Sequence, residues 1–168
     1  AKIRAANKPV HCHFETADNA SYALMAASCD RISMTPAGTL NLVGLSMQAF
    51  YARQLLERIG GHADILHVGR YKGAGDTLTR DEMPEAARES LGALLDDLQG
   101  QLLAAVLARN DTADSAEPLS AAVFQQGPYT AEAARVVGLV DDVGFDDEAR
   151  EHARVAAGVE VDQVRTLT

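Results

Sequence analysis

The chain has 168 residues, a length that suits one domain or most of one. Its formal net charge of −9 argues against nucleic acid or an anionic membrane face as a main partner, because both require basic patches. Apolar residues make up 47% of it, enough to fill a core, and with 5% aromatics and no tryptophan that core should be aliphatic.

No run of uncharged apolar residues reads as a membrane span, and the opening A-K-I-R-A-A-N-K-P is too polar for a signal peptide. Cys12 and Cys29 form neither a C-x-x-C pair nor a disulfide framework, so they leave the redox compartment open. His11-Cys12-His13 does not read as a metal site, since neighbours on a strand point to alternate faces. No metal and no cofactor are expected.

In chain order, P-V-H-C-H-F (9–14) reads as a short strand, and the alanine-rich 19–29 as a helix. R-I-S-M (31–34) is a second short strand that T-P-A-G closes with a turn. Phe50, Tyr51, Leu55 and Ile59 recur at helical spacing and predict a helix over 47–59, ended by Gly60-Gly61. A-D-I-L-H-V (63–68) reads as a strand, and the loop G-R-Y-K-G-A-G leaves its end. In R-D-E-M-P-E, Thr79 stands three residues before Glu82, the spacing of a capping box. A long helix over 84–109 carries one apolar stripe through Leu91, Leu95, Leu98, Leu102 and Val106. Residues 111–118 read as a loop. Thr130 is placed to cap a helix that Gly138 ends. Asp141 and Asp142 read as surface residues, and His62 and His67 as solvent-facing or satisfied strand residues. A helix over 146–156 and a last strand in V-D-Q-V-R-T-L complete the chain. Strands alternating with helices give an α/β class with crossover connections.

Lys72 raises a chemical question. It is one of three lysines beside twelve arginines, and it stands between glycines in G-R-Y-K-G-A-G. Arginine keeps its proton in a protein, whereas a desolvated lysine can become a neutral base. An arbitrary lysine in such a place is a solvated loop residue.

Four stretches, in order, give it another meaning: N-K-P-V before a strand; Y-A-L-M-A-A-S-C-D-R-I; L-L-E-R-I-G followed by G-R-Y-K-G-A-G; and G-P-Y-T-A-E-A-A-R-V-V-G-L-V-D-D-V-G. Together, over roughly residues 7 to 150, the chain resembles the signal peptide peptidase A (protease IV) family of the ClpP/crotonase-like superfold. That resemblance implies a ClpP/crotonase-like α/β fold, here lacking its opening strands, in a single domain cut from a longer peptidase. It also implies a Ser/Lys dyad in which Lys72 is the general base. About one free lysine in 2,500 is neutral at pH 7. Lowering a lysine pKa by roughly 3 takes about 4 kcal/mol, which burial can supply.

The nucleophile departs from the family pattern. Counting back from Asp30 and Ile32 puts Ala20 where the serine should stand, and a one-residue insertion near Met25 puts Asn19 there. Ser21 is a nucleophile candidate only if the helix start is shifted; otherwise it belongs to helix N-cap chemistry. The stretches A-G-T-L-N-L-V-G-L-S and R-D-E-M-P-E-A-A-R-E are similar to the first half of the long, two-half members. In those the first half supplies lysine and the second supplies serine.

The resemblance therefore implies a lysine-bearing half that acts on signal peptides left in the membrane. It would pair with another half or subunit, with peptides and no nucleic acid as partners, at the periplasmic face of a bacterial inner membrane. Two other readings stay open. One is a crotonase-like acyl-CoA enzyme, against which the setting of Lys72 argues. The other is a non-catalytic oligomerisation half.

Overall fold

The computed structural model describes residues 8–66, 69–111 and 119–160. They pack as two compact units, Ala1–Gly44 with Gln101–Thr168, and Leu45–Gly100.

The first unit is mixed α/β. Strand β1 (His11–Asp18) leads into helix α1 (Asn19–Ser28), which returns to strand β2 (Arg31–Asn41), and β1 and β2 pair in parallel. Two short strands line the other edge of β2. Strand β4 (Asp142–Val143) runs parallel beside Ser33 and Met34, and β3 (Tyr129–Thr130) runs antiparallel beside Thr39 and Leu40. A helix-linked parallel pair is what the sequence pattern predicts.

β2 is longer than R-I-S-M suggests. Met34 faces Phe14 and Thr39 faces Thr16, so T-P-A-G bulges out within the strand instead of ending it. Pro36 can donate nothing to the ladder, which suits the bulge. Gly38 is required there, because a Cβ would stand 2.2 Å from the Glu15 carbonyl oxygen.

Among the described residues the core lies in this unit and is aliphatic in the main, built around Ile32, Met34, Leu40, Leu42, Val106 and Leu139. Helices α5 (Val123–Gln126) and α6 (Ala131–Val137) add Phe124 and Ala134 to it. α6 starts where expected, with the Thr130 hydroxyl accepting from the Ala133 N–H, and Gly138 ends it in the left-handed conformation at φ 88°. Helix α7 (Asp146–Ala157) follows β4 and packs on β1.

The cysteines correct the sequence reading. Cys12 of β1 and Cys29, just past α1, form a disulfide with their Cα atoms 6.0 Å apart. The crossover causes this: α1 returns the chain to the start of β1, where Asp30 and Val10 exchange hydrogen bonds.

The second unit is built differently. Helix α2 (Arg53–Arg58) is only the end of the helix expected over 47–59, and Gly60, at φ 75°, follows it as predicted. An isolated helix of this length needs packing to persist, yet Phe50, Leu55 and Ile59 are exposed. Residues 61–66 carry no strand hydrogen bonding, against expectation, and the rest of that predicted strand, with His67, lies outside the described residues. A single helical turn, α3 (Asp76–Thr79), precedes the long helix α4 (Glu85–Leu107). Thr79 does not cap α4, because its hydroxyl donates back to the Gly75 carbonyl at 3.1 Å. The apolar stripe of α4 is buried only at its far end, at Leu102 and Val106, which belong to the first unit.

By length and composition Glu85–Asn110 would suffice to cross a membrane, with a mean hydropathy of 1.3 in its most apolar window. The sequence reading, which looked for uncharged runs, does not select it. Adjacent carboxylates stand within it at Asp96 and Asp97, and in α4 only Leu102 and Val106 are buried. The loop expected over 111–118 and the last strand fall almost entirely outside the described residues.

Candidate active site

Helix α1 presents the aligned nucleophile positions on its first turn. The cap is Asp18, not Ser21: the Asp18 carboxylate accepts from the Ser21 backbone N–H at 2.9 Å. That hydrogen bond holds the Asp18 carboxyl below its ordinary range. Ser21 itself is exposed, as is Ala20. Asn19 is committed to structure. Its side-chain amide donates to the Val43 carbonyl at 2.8 Å, and its side-chain oxygen accepts from the Val43 N–H at 2.9 Å. Neither Ala20 nor Asn19 carries a group that can attack a carbonyl.

Lys72 sits in the second unit, on a turn in which its N–H donates to the Gly69 carbonyl at 3.2 Å. Gly69 has φ 114°, a conformation that favours glycine. The turn is pinned to α4 through one carboxylate. Glu89 accepts from Arg70 Nη2 at 3.2 Å and from the Tyr71 hydroxyl at 3.3 Å, and the Arg70 guanidinium stacks over the Tyr71 ring. The nearby Glu89 charge raises the Tyr71 phenol above its usual range. On the other side, Gly73 and Gly75 let the backbone pass close to Asp76 and Ile65, where a Cβ would fall 2.4 Å and 2.7 Å from their side chains. Asp76 is buried and accepts from Arg80 Nε at 3.1 Å. The glycines of the motif thus have steric reasons. The Lys72 side chain is exposed in this chain.

Asp141 and Asp142 are not the surface pair expected. Asp141 is nearly shut off from water and bonds Arg109 Nη2 at 2.7 Å, while its other oxygen accepts from the Ile32 N–H. Asp142 receives Arg31 through Nε at 2.6 Å and Nη2 at 2.9 Å, a two-pronged bond that holds its carboxyl below the ordinary range. Both aspartates lock the turn after α6 to β2. Their sequence neighbourhood gives no sign of this, because the arginines lie 32 and 111 positions away. His62 is exposed, as expected. Glu89 and Asp76, which shape the lysine turn, carry no signal in sequence beyond their position on helical stretches.

The model of Peptidase family S49 matches residues 2–160. The chain is 30% identical over 139 residues to "Serine protease SPPA, chloroplastic" of Arabidopsis thaliana, covering 83% of this chain and 20% of that protein. It is 32% identical over 149 residues to a Synechocystis protein whose name describes a protease, covering 86% of this chain and 50% of that one. Over 89 residues it is 32% identical to "Protease 4" of Salmonella typhi, covering 53% of this chain and 14% of that protein. The chain thus spans half or less of the length of these relatives.

Proposed function

Since the chain belongs to peptidase family S49, the signal peptide peptidase A family, we propose that it is the lysine-bearing half of a Ser/Lys serine peptidase. Lys72 is the general base, and the serine comes from another half or subunit. The substrates are signal peptides remaining in a bacterial inner membrane after secretion, approached from the periplasmic face. In the reaction the Lys72 amine takes the serine proton as Oγ attacks the scissile carbonyl, then returns it to the leaving amine.

One observation carries this reading: the stretch G-R-Y-K-G-A-G stands on a glycine-shaped turn, while Ala20 and Asn19, the two positions that the resemblance offers for the serine, carry no nucleophile. A second supports the need for a partner. Within Leu45–Gly100 the only buried side chain among the described residues is Asp76, yet ten large apolar side chains there are exposed, Phe50, Ile59 and Leu66 among them. A unit with no apolar core of its own requires cover. The same cover would strip water from Lys72, as a neutral amine at pH 7 demands. The family match also weighs against the acyl-CoA reading. The non-catalytic half remains the competitor, and it fails if Lys72 proves essential.

The test is to co-express the chain with a serine-bearing S49 half and follow cleavage of a signal-peptide substrate. Lys72→Ala and Lys72→Arg should each lower turnover by about 10²-fold or more, and Ser21→Ala should not. Unchanged turnover in Lys72→Arg removes the lysine from the chemistry.

A further inference from the structure

We propose that Ser33 is a nucleophile in this chain, activated by His13, and that it accepts the acyl group of a small uncharged carboxylic ester. The site lies entirely in the first unit and does not depend on Lys72 or on a partner half.

His13 of β1 and Ser33 of β2 are register partners on adjacent strands, with His13 Nδ1 2.8 Å from Ser33 Oγ. The other ring nitrogen, Nε2, is 3.2 Å from Thr35 Oγ1, two residues along the same face of β2. With Nε2–H donating to the Thr35 oxygen, Nδ1 is left as the acceptor for the Ser33 hydroxyl. That hydroxyl has a poorer alternative in the Cys12 carbonyl oxygen, at 3.4 Å. A nucleophile, a base in hydrogen-bond reach and a group orienting that base are the three parts a histidine-activated serine needs.

A cross-strand hydrogen bond alone would carry nothing, since sheets satisfy polar side chains in this way. This one opens onto space. Ser33 lines two adjoining cavities of about 280 and 390 Å³, both under α7. His13 lines the smaller, on the side of Cys12 and Arg31, and the larger extends past Val143 and Phe145. An ester carbonyl at Ser33 would thus have room on either side, for its acyl part and its alcohol part.

The charges disfavour an anionic substrate: the larger cavity is lined by Asp142, Asp147, Glu148 and Glu151, with no lysine or arginine among its lining residues. Arg31 is paired with Asp142 and Arg150 with Asp146, at 2.6 and 2.8 Å, so the fixed charges of the smaller cavity cancel. In the step itself, Ser33 Oγ bonds to the ester carbon as its proton passes to His13 Nδ1. The carbon–oxygen bond to the alcohol breaks, and the alcohol leaves with the proton from His13. Water then releases the acid by the same route in reverse.

The probes are a small alkyl fluorophosphonate, which bonds phosphorus to serine oxygen and releases fluoride, and p-nitrophenyl acetate. The expected result is one phosphonate mapped by mass spectrometry to Ser33, absent in Ser33→Ala and slowed about 10²-fold or more in His13→Gln. Thr35 is a positioning residue: Thr35→Ala should slow release of p-nitrophenol, and Thr35→Ser should restore it. Lys72→Ala and Ser21→Ala should label as the wild type does. An unlabelled but folded wild type, a label that survives Ser33→Ala, an unchanged rate in His13→Gln, or labelling that needs Lys72 would each overturn the assignment. Mapping on the wild type keeps the test decisive even if a variant unfolds.

Discussion

Arg109 and Asp141 form an ion pair at 2.7 Å in which the arginine side chain has no exposure and the aspartate 7%. They join the end of α4 to the turn after α6, and the Asp141 side chain also accepts the Ile32 N–H at 2.7 Å. Breaking a buried pair is costly because it strands a charge out of water, whereas replacing both members by apolar groups often costs little. Asp141→Ala should therefore destabilise the chain by about 3–5 kcal/mol. Arg109→Met combined with Asp141→Leu should cost less than that single change, despite the lost Ile32 bond. Urea denaturation of the two variants gives the comparison, and equal losses would show that the pair is not a coupled unit.

Tyr22 is wholly buried, and its hydroxyl donates to the Leu139 carbonyl at 2.6 Å. Tyr22→Phe should cost about 1–3 kcal/mol, since the carbonyl is left buried without its donor. Burial also pushes the phenol well above its usual range. A folded-state pKa raised in this way gives stability that is complete below about pH 10, the unfolded tyrosine value, and declines as pH climbs above it. The alkaline decline should be shallower in Tyr22→Phe. An identical alkaline limb in both proteins would contradict the buried phenol.

At the acid end the sign reverses. The hydrogen bond and charge of Arg31 hold the Asp142 carboxyl low, so its contribution is present above the unfolded aspartate value near 3.9 and is lost as pH falls through the folded one. Asp142→Asn should flatten the acid side of the stability profile with little change at pH 7 beyond the loss of one partly exposed pair. Thermal melts between pH 2 and 7 would show a parallel acid limb if the pair contributes nothing.

The Cys12–Cys29 bond closes a loop of 17 residues, for which loop-closure entropy gives about 3 kcal/mol. Reduction, or Cys29→Ser, should lower the melting temperature by roughly 6–12 °C, since each kcal/mol is worth about 2–4 °C in a protein of this size. A reductant that leaves the melting temperature untouched would argue against the crosslink.

These effects also show which parts of the molecule its sequence announces. Local signals held: Thr130 caps and Gly138 ends the same helix because both act through backbone groups a few residues away. The helix read from the alanine-rich 19–29 is α1, Asn19–Ser28, and the one read over 146–156 is α7, Asp146–Ala157. What failed was non-local. Cys12 meets Cys29, and Asp141 meets Arg109, only because a crossover and the end of a long helix bring distant chain together. The helix expected over 47–59 is confined to Arg53–Arg58, and Phe50, Leu55 and Ile59 of its apolar face stay exposed among the described residues. At the candidate site, the resemblance alone singled out Lys72 and the departure at Ala20 or Asn19. Glu89, which anchors that turn, was visible only in three dimensions.

The shortage of shielded side chains in Leu45–Gly100 has a kinetic corollary. Segments with few buried contacts open at little free-energy cost, so their amide hydrogens should exchange with deuterium far sooner than those of β2. Any subunit that docked there would slow that clock, and the degree of slowing would map its footprint residue by residue.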